Sequence, residues 1–340
     1  MCTAPFPGIG TARFSFAGSW ASRLSASVTS YAQLLAITVP VFLLFGLGVV
    51  ARKASWMSQE AESSFLKLIV NLLYPCLVFR SVLGNAALRN PAVLFSAPAL
   101  GFISIVLGLL AGYLAGRALG LSVGTGLRTF AFSIAIYNYG YIPIALIEVL
   151  WGRQTLGVLL VFNLGIELAL WTVGILMLSG LSLREGWKRL LNPVIASLLA
   201  GVVLNSLDIT LPAMALKVID ALAVCAVPLG LLSAGAALEA FVKKPSDLFE
   251  PRTSLGAVVL RMGLIPVAFL ACARWLPLSG DLRYVLIVQG AMPAGMFPLV
   301  LARHYGGQPL VAARIIFATT IVGVVLIPLW LRLGLAWVAH

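Results

Sequence analysis

Tyr137-Asn138-Tyr139-Gly140-Tyr141-Ile142-Pro143 places a polar amide, a glycine and a proline in the middle of a long apolar stretch. Later in the chain, Gln289-Gly290-Ala291-Met292-Pro293-Ala294-Gly295-Met296-Phe297-Pro298 does the same with two glycines and two prolines. A proline in a helix interior removes one backbone donor and clashes with the preceding turn, at about 3 kcal/mol. Two apolar helices broken in this way leave free amide and carbonyl ends. Inside a membrane such ends are tolerable only where they face protein or a wet cavity, and helix N-termini favour anions. The competing reading is a pair of proline kinks with packing roles alone.

Composition makes the surroundings of both stretches a membrane. Of 340 residues, 61% are hydrophobic and 10% are charged, and the mean hydropathy is +1.05. A soluble chain needs a charged shell, which 23 Lys and Arg with 11 Asp and Glu cannot supply. Several apolar runs exceed ~18 residues, enough to cross a ~30 Å hydrocarbon layer as helices. Lipid offers backbone amides no partner, so such runs must be helical. The net charge of +12 comes from basic residues scattered singly between apolar runs, which suits membrane-flanking loops and not a nucleic-acid patch. Cys2, Cys76, Cys225 and Cys272 have no C-x-x-C spacing and read as small core residues. His304 and His340 stand in no metal-binding pattern. No metal, cofactor or nucleophile–base constellation is readable, so an enzyme is not expected.

Breaks at glycine, proline and charge divide the chain into ten spans. They cover residues 31–51, 61–83, 91–119, 124–151 and 155–180, then 192–206, 212–241, 252–276, 282–305 and 310–335. Alternate connections carry Arg52, Lys53, Arg117, Arg128, Arg184, Lys188, Arg189, Lys243, Lys244, Arg252, Arg303 and Arg314. The opposite ones hold only Arg80, Arg89, Arg153, Lys217, Arg274 and Arg283. The richer set belongs in the cytoplasm, which leaves both termini outside a plasma or bacterial inner membrane. Residues 1–30, rich in Ser, Ala and Gly, read as a disordered extension.

The prolines expose a repeat. Pro40, Pro75, Pro91, Pro98 and Pro143 are followed 153 to 155 positions later by Pro193, Pro228, Pro245, Pro251 and Pro298. Gly140-Tyr-Ile-Pro143 also matches Gly295-Met-Phe-Pro298, and Trp151-Gly152 matches Tyr305-Gly306. A tandem repeat follows, 31–180 and 192–336, joined by a short cytoplasmic connector at 181–191 whose amphipathic part, 183–190, suits the membrane interface. Each half has five spans, an odd number, so the second enters the membrane inverted. Inverted repeats meeting near the midplane are a recurring transporter design.

Several of these segments together resemble the auxin efflux carrier family of the bile/arsenite/riboflavin transporter superfamily. They are Leu72-Leu73-Tyr74-Pro75, Asn138 through Pro143, Asn192-Pro193, Val227-Pro228-Leu229 through Gly235, Arg261 to Pro266, Gln289 through Tyr305, and Thr319-Thr320. The resemblance implies an all-α integral membrane fold of about ten helices in which spans four and nine are broken and cross. It implies a substrate held at that crossover, and an elevator-like motion against a scaffold of spans one, two, six and seven. It also implies a small carboxylate as cargo: auxin in plants, dicarboxylates such as malate or malonate in bacteria.

Residue by residue, Asn138 is the first candidate for substrate contact, since a buried amide beside a helix break meets either a backbone end or a ligand. Tyr137, Tyr141, Pro143, Asn163, Gln289, Pro293 and Pro298 are expected to line the same place. Glu167 and Arg261 lie well inside spans five and eight; they either neutralise each other or serve proton coupling. Gly108, Gly112, Gly116 and Gly120 form a stripe for close helix packing. The expected partners are a small organic anion and the lipid bilayer, with a homodimer as a compatible assembly and no nucleic acid. A channel or a non-transporting membrane sensor on the same fold is the alternative.

Overall fold

The computed structural model describes residues 30–179, 192–239, 248 and 250–338. Residues 1–29 of the extension at 1–30, and the connector at 181–191, lie outside the described residues. In chain order the helices are α1 (Tyr31–Lys53), α2 (Gln59–Val82), α3 (Pro91–Ala118), α4 (Leu127–Ala135) and α5 (Tyr141–Ser179). There follow α6 (Pro193–Ser206), α7 (Ala213–Glu239), α8 (Pro251–Trp275), α9 (Gly280–Ala291), α10 (Phe297–His304) and α11 (Pro309–Val338).

Most helices begin where a side chain can take the orphan amides of the first turn. Ser30 and Gln33 form a capping box at α1. Asn90-Pro91, Asn192-Pro193 and Glu250-Pro251 open α3, α6 and α8, each with a capping oxygen followed by a proline at the position that needs no donor. Two π-turns, Ile69–Leu73 in α2 and Val258–Leu264 in α8, each end two residues before a proline, Pro75 and Pro266. The wider turn accommodates the carbonyl that the proline ring would otherwise strike.

Ten spans were expected; among the described residues seven helices are long and apolar enough to cross a membrane: α1, α2, α3, α5, α7, α8 and α11. The difference has three causes, the first being that α6 has only 14 residues. Hydropathy averages across a break, so α4 and the α9–α10 pair read as parts of whole spans when each piece is short. In addition, α5 runs for 39 residues, ~58 Å if straight and about twice a hydrocarbon layer. It turns at Gly152, whose φ of 75° and ψ of −163° suit glycine alone.

Packing separates two groups. In one, α1 lies on α7, with Gly48 against the Leu232 backbone and Gly235 against Phe45, and α2 packs on both α6 and α7. In the other, α4 runs antiparallel along the glycine stripe of α3. A Cβ on Gly108 would lie 3.0 Å from the Ala135 Cα, and one on Gly112 would lie 2.8 Å from the Ala131 Cα; Gly116 meets Leu127. The fourth stripe residue, Gly120, is not part of the seam: it sits in the following turn with φ of 79° and open space around it. Outside, large apolar side chains such as Leu43, Phe95, Leu107 and Val224 stand exposed, a surface that lipid solvates and water does not. Cys225 and Cys272 belong to this surface and not to the core, and Cys76 is half-buried.

Candidate functional site

The two interruptions meet. The Asn138 amide donates to the Pro293 carbonyl at 2.8 Å, and the Gly295 amide donates to the Ile136 carbonyl at 2.9 Å. Tyr137 and Ala294 thereby pair as one antiparallel bridge between α4–α5 and α9–α10. Glycine is required at 295, because a Cβ there would sit 2.7 Å from the Tyr137 carbonyl oxygen.

Four helix ends converge on this bridge. Neither α5 nor α10 has a side-chain cap at its N-terminus: the Leu299 amide turns to the Met296 carbonyl at 3.1 Å, while those of Tyr141, Ile142 and Phe297 have no partner among the described residues. Pro143 and Pro298, both buried, lie in those first turns, where a missing donor breaks no helical bond. The carbonyl end of α9 is closed by Arg261. Its Nε donates to the Met292 carbonyl and its Nη2 to the Gln289 carbonyl, both at 2.8 Å, with the Gly290 carbonyl at 3.5 Å. The guanidinium carbon lies 4.2 Å from the centre of the Tyr137 ring, a cation–π distance. Thr319 accepts the Ala294 amide at 3.2 Å.

A chain of amides braces the bridge from behind. Gln289 Nε2 donates to Asn163 Oδ1 at 2.9 Å, and Asn163 Nδ2 donates to the Tyr139 carbonyl at 2.8 Å. Gln289 is fully buried, and its Oε1 has no hydrogen-bond partner among the described residues. The Asn138 side chain, half-buried, likewise makes no hydrogen bond among the described residues.

All eight residues expected to line a substrate site therefore lie at or beside one crossover, but not in one role. Tyr137 is buried under Arg261, with its hydroxyl 3.1 Å from Ser104. The Pro293 carbonyl is spent on the bridge. Tyr141 turns the other way: its ring covers Gly230 of α7 and meets Tyr74 of α2 edge-on at 6.2 Å. The crossover thus faces the group formed by α1, α2, α6 and α7.

The expected pairing of Glu167 with Arg261 is not present. Glu167 accepts from the Tyr139 hydroxyl at 2.7 Å and from Trp171 Nε1 at 2.8 Å, while Arg261 is held by carbonyls. Each charge found nearer donors or acceptors on its own side of the crossover. Sequence reasoning passed over Tyr139, which also stacks on Phe297 at 6.0 Å, and Trp171. The latter had a signal, since it stands one helical turn beyond Glu167 on the same face.

A cavity of about 240 Å³ lies apart from the bridge, at one end of the bundle, lined by Arg80, Arg89, Arg153, Asn205, Asp208 and Asp220 among others. Its charges are matched within the protein: Arg80 pairs with Glu148 and Asp220, Arg153 with Asp220, and Arg89 with Asp208.

Comparison with known proteins points to membrane transport. A family model described as membrane transport protein matches residues 34–185 and again residues 181–331. The chain is 25% identical over 296 residues to an uncharacterized transporter of Methanothermobacter thermautotrophicus (strain Delta H), covering 85% of this chain and 95% of that protein. Each of the two matched segments contains one helix break, and the chain belongs to the membrane transport protein family, that of the auxin efflux carriers.

Proposed function

We propose that this protein is a secondary carrier of a small organic anion, a carboxylate, held at the crossover. One observation carries the reading: two broken helices meet with uncapped N-termini beside an Asn138 side chain that has no partner among the described residues. Open first-turn amides favour negative charge, and an unpartnered amide group is free to hydrogen-bond a carboxylate. The site needs no lysine. In this reading ten spans form two inverted five-helix repeats with both termini outside. The group containing α3 to α5 and α8 to α11 slides, elevator-like, against α1, α2, α6 and α7, and Tyr141 lies at the sliding surface. The packing of α1 on α7 and of α2 on both α6 and α7 supports that choice of scaffold.

The test is a thermal-shift screen of purified protein against small mono- and dicarboxylates, malate and malonate included, followed by binding measurements on Asn138→Ala. The variant should lose about 1–3 kcal/mol of affinity for any stabilising carboxylate, the range for a lost hydrogen-bond partner. It should keep the wild-type melting temperature, because the native side chain holds nothing in place. Unchanged affinity would move the site away from Asn138. Single cysteines at Arg117 and Asp208 should label from opposite sides of the membrane; labelling of both from one side rules out the inverted arrangement.

A further inference from the structure

Among the described residues, Arg261 is a charge without a counter-ion. It is 1% exposed, and none of the ion pairs among the described residues includes it. Glu167 is taken by Tyr139 and Trp171. An isolated charge in a low-dielectric interior is costly unless something compensates it. Here the compensation is backbone: the carbonyls of Gln289, Gly290 and Met292 surround the guanidinium at 2.8 to 3.5 Å. They form the negative end of a half-helix, and the Tyr137 ring closes the opposite face.

In carriers built from broken helices, such unwound carbonyls and half-helix C-termini are what coordinate a coupling sodium ion. In this protein a set of the same kind is filled by a side chain. We propose that Arg261 is a built-in replacement for a coupling cation, which occupies the oxygen cage of the second break and makes the carrier independent of sodium. The guanidinium is tethered to α8 and cannot dissociate, so the charge of the cage does not cycle with ion binding. The break also keeps its shape in the absence of any dissolved ion. The inference rests on the carrier reading in naming the ion a coupling ion; the filled cage itself does not depend on the cargo.

The experiment compares the melting temperature of the full chain in nanodiscs, in sodium and in potassium chloride at equal ionic strength. Wild type should melt at the same temperature in both. Arg261→Ala empties the cage and should melt several degrees lower. Low concentrations of guanidinium, or of sodium in preference to potassium, should then raise its melting temperature, as binding to the native state alone must. Arg261→Lys keeps a cation on the same helix and should show no sodium response. Should Arg261→Ala fail to fold while Arg261→Lys folds, the need for a cation in the cage is upheld. Wild type stabilised by sodium over potassium would overturn the proposal, as would a folded Arg261→Ala indifferent to both ions. No readout involves the cargo, so failure of the carboxylate screen and failure of this test remain separate results.

Discussion

The two breaks occupy matching places in the sequence, yet they contribute different things. The first, residues 136–140, brings side chains: Tyr137 under Arg261, Asn138 with no partner among the described residues, and Tyr139 reaching Glu167. The second, residues 292–296, brings almost none. Pro293, Ala294 and Gly295 are small or cyclic, and what they offer is main chain: a carbonyl to Asn138, an amide to Ile136 and an amide to Thr319. One break presents chemistry and the other supplies the close approach that holds it. Segments that match in sequence need not share a task.

The sharpest way to break this comparison is to exchange the tolerance of the two matched glycines. A Cβ at Gly295 would meet the Tyr137 carbonyl oxygen at 2.7 Å and its carbon at 2.9 Å, whereas one at Gly140 would find only the Tyr74 hydroxyl at 3.9 Å. Gly295→Ala should therefore destabilise by about 3 kcal/mol, the upper range for overpacking against immobile backbone, and should stop transport. Gly140→Ala should lose less than about 1 kcal/mol. Denaturation of both variants in detergent measures the gap, and equal losses would mean the breaks are equivalent after all.

A smaller effect separates the charges. Because Glu167 serves the first break and Arg261 the second, Glu167→Gln should lose about 1.5–3 kcal/mol, one charge-assisted hydrogen bond. It should not lose the ~3–5 kcal/mol of a broken buried pair. In a double-mutant cycle with Arg261→Lys, the two changes should add within about 0.5 kcal/mol. Strong coupling would reunite the residues into one ion pair and weaken the division between the breaks.

This case also marks the limit of what the sequence made readable. The breaks were visible because glycine and proline act on the backbone of their own segment. The crossing partners of a side chain depend on how each helix is rotated, and no spacing rule reports that. Asn163 and Glu167 shared a face that periodicity could find, and Trp171 continued it. Arg261 instead reaches carbonyls 28 to 31 positions away, in a loop whose shape is fixed by α4, α9 and α11 together. The span count suffered for a related reason: averaged hydropathy treats α9 and α10 as continuous although five non-helical residues part them.

The smallest expected difference concerns pH and the helices that follow α2 and α7. α3 is capped by neutral Asn90, but α8, which carries Arg261, is capped by Glu250. The Thr253 hydroxyl, at 2.6 Å, and then its backbone amide hold the Glu250 carboxyl below its usual range. A depressed value means stability that is present above the ordinary carboxylate value of 4.5 and is lost as pH falls through the lower folded-state value. Glu250 is half-buried at the helix end, so Glu250→Ala should lose about 0.5–1 kcal/mol at neutral pH, with the difference from wild type vanishing in acid. Asn90→Ala should lose a similar amount at every pH. A loss in Glu250→Ala that persists unchanged in acid would refute an ionised cap.

The bridge between the breaks is fastened by two main-chain hydrogen bonds, Asn138 to Pro293 and Gly295 to Ile136. Any residue except proline can make the first of these, whatever its side chain. Position 138 is thus chemically adjustable while the crossing stays fastened. On the proposed function, a lineage carrying this fold could change its cargo by single-codon steps, each passing through a folded, membrane-inserted intermediate, with no need for a compensating substitution elsewhere.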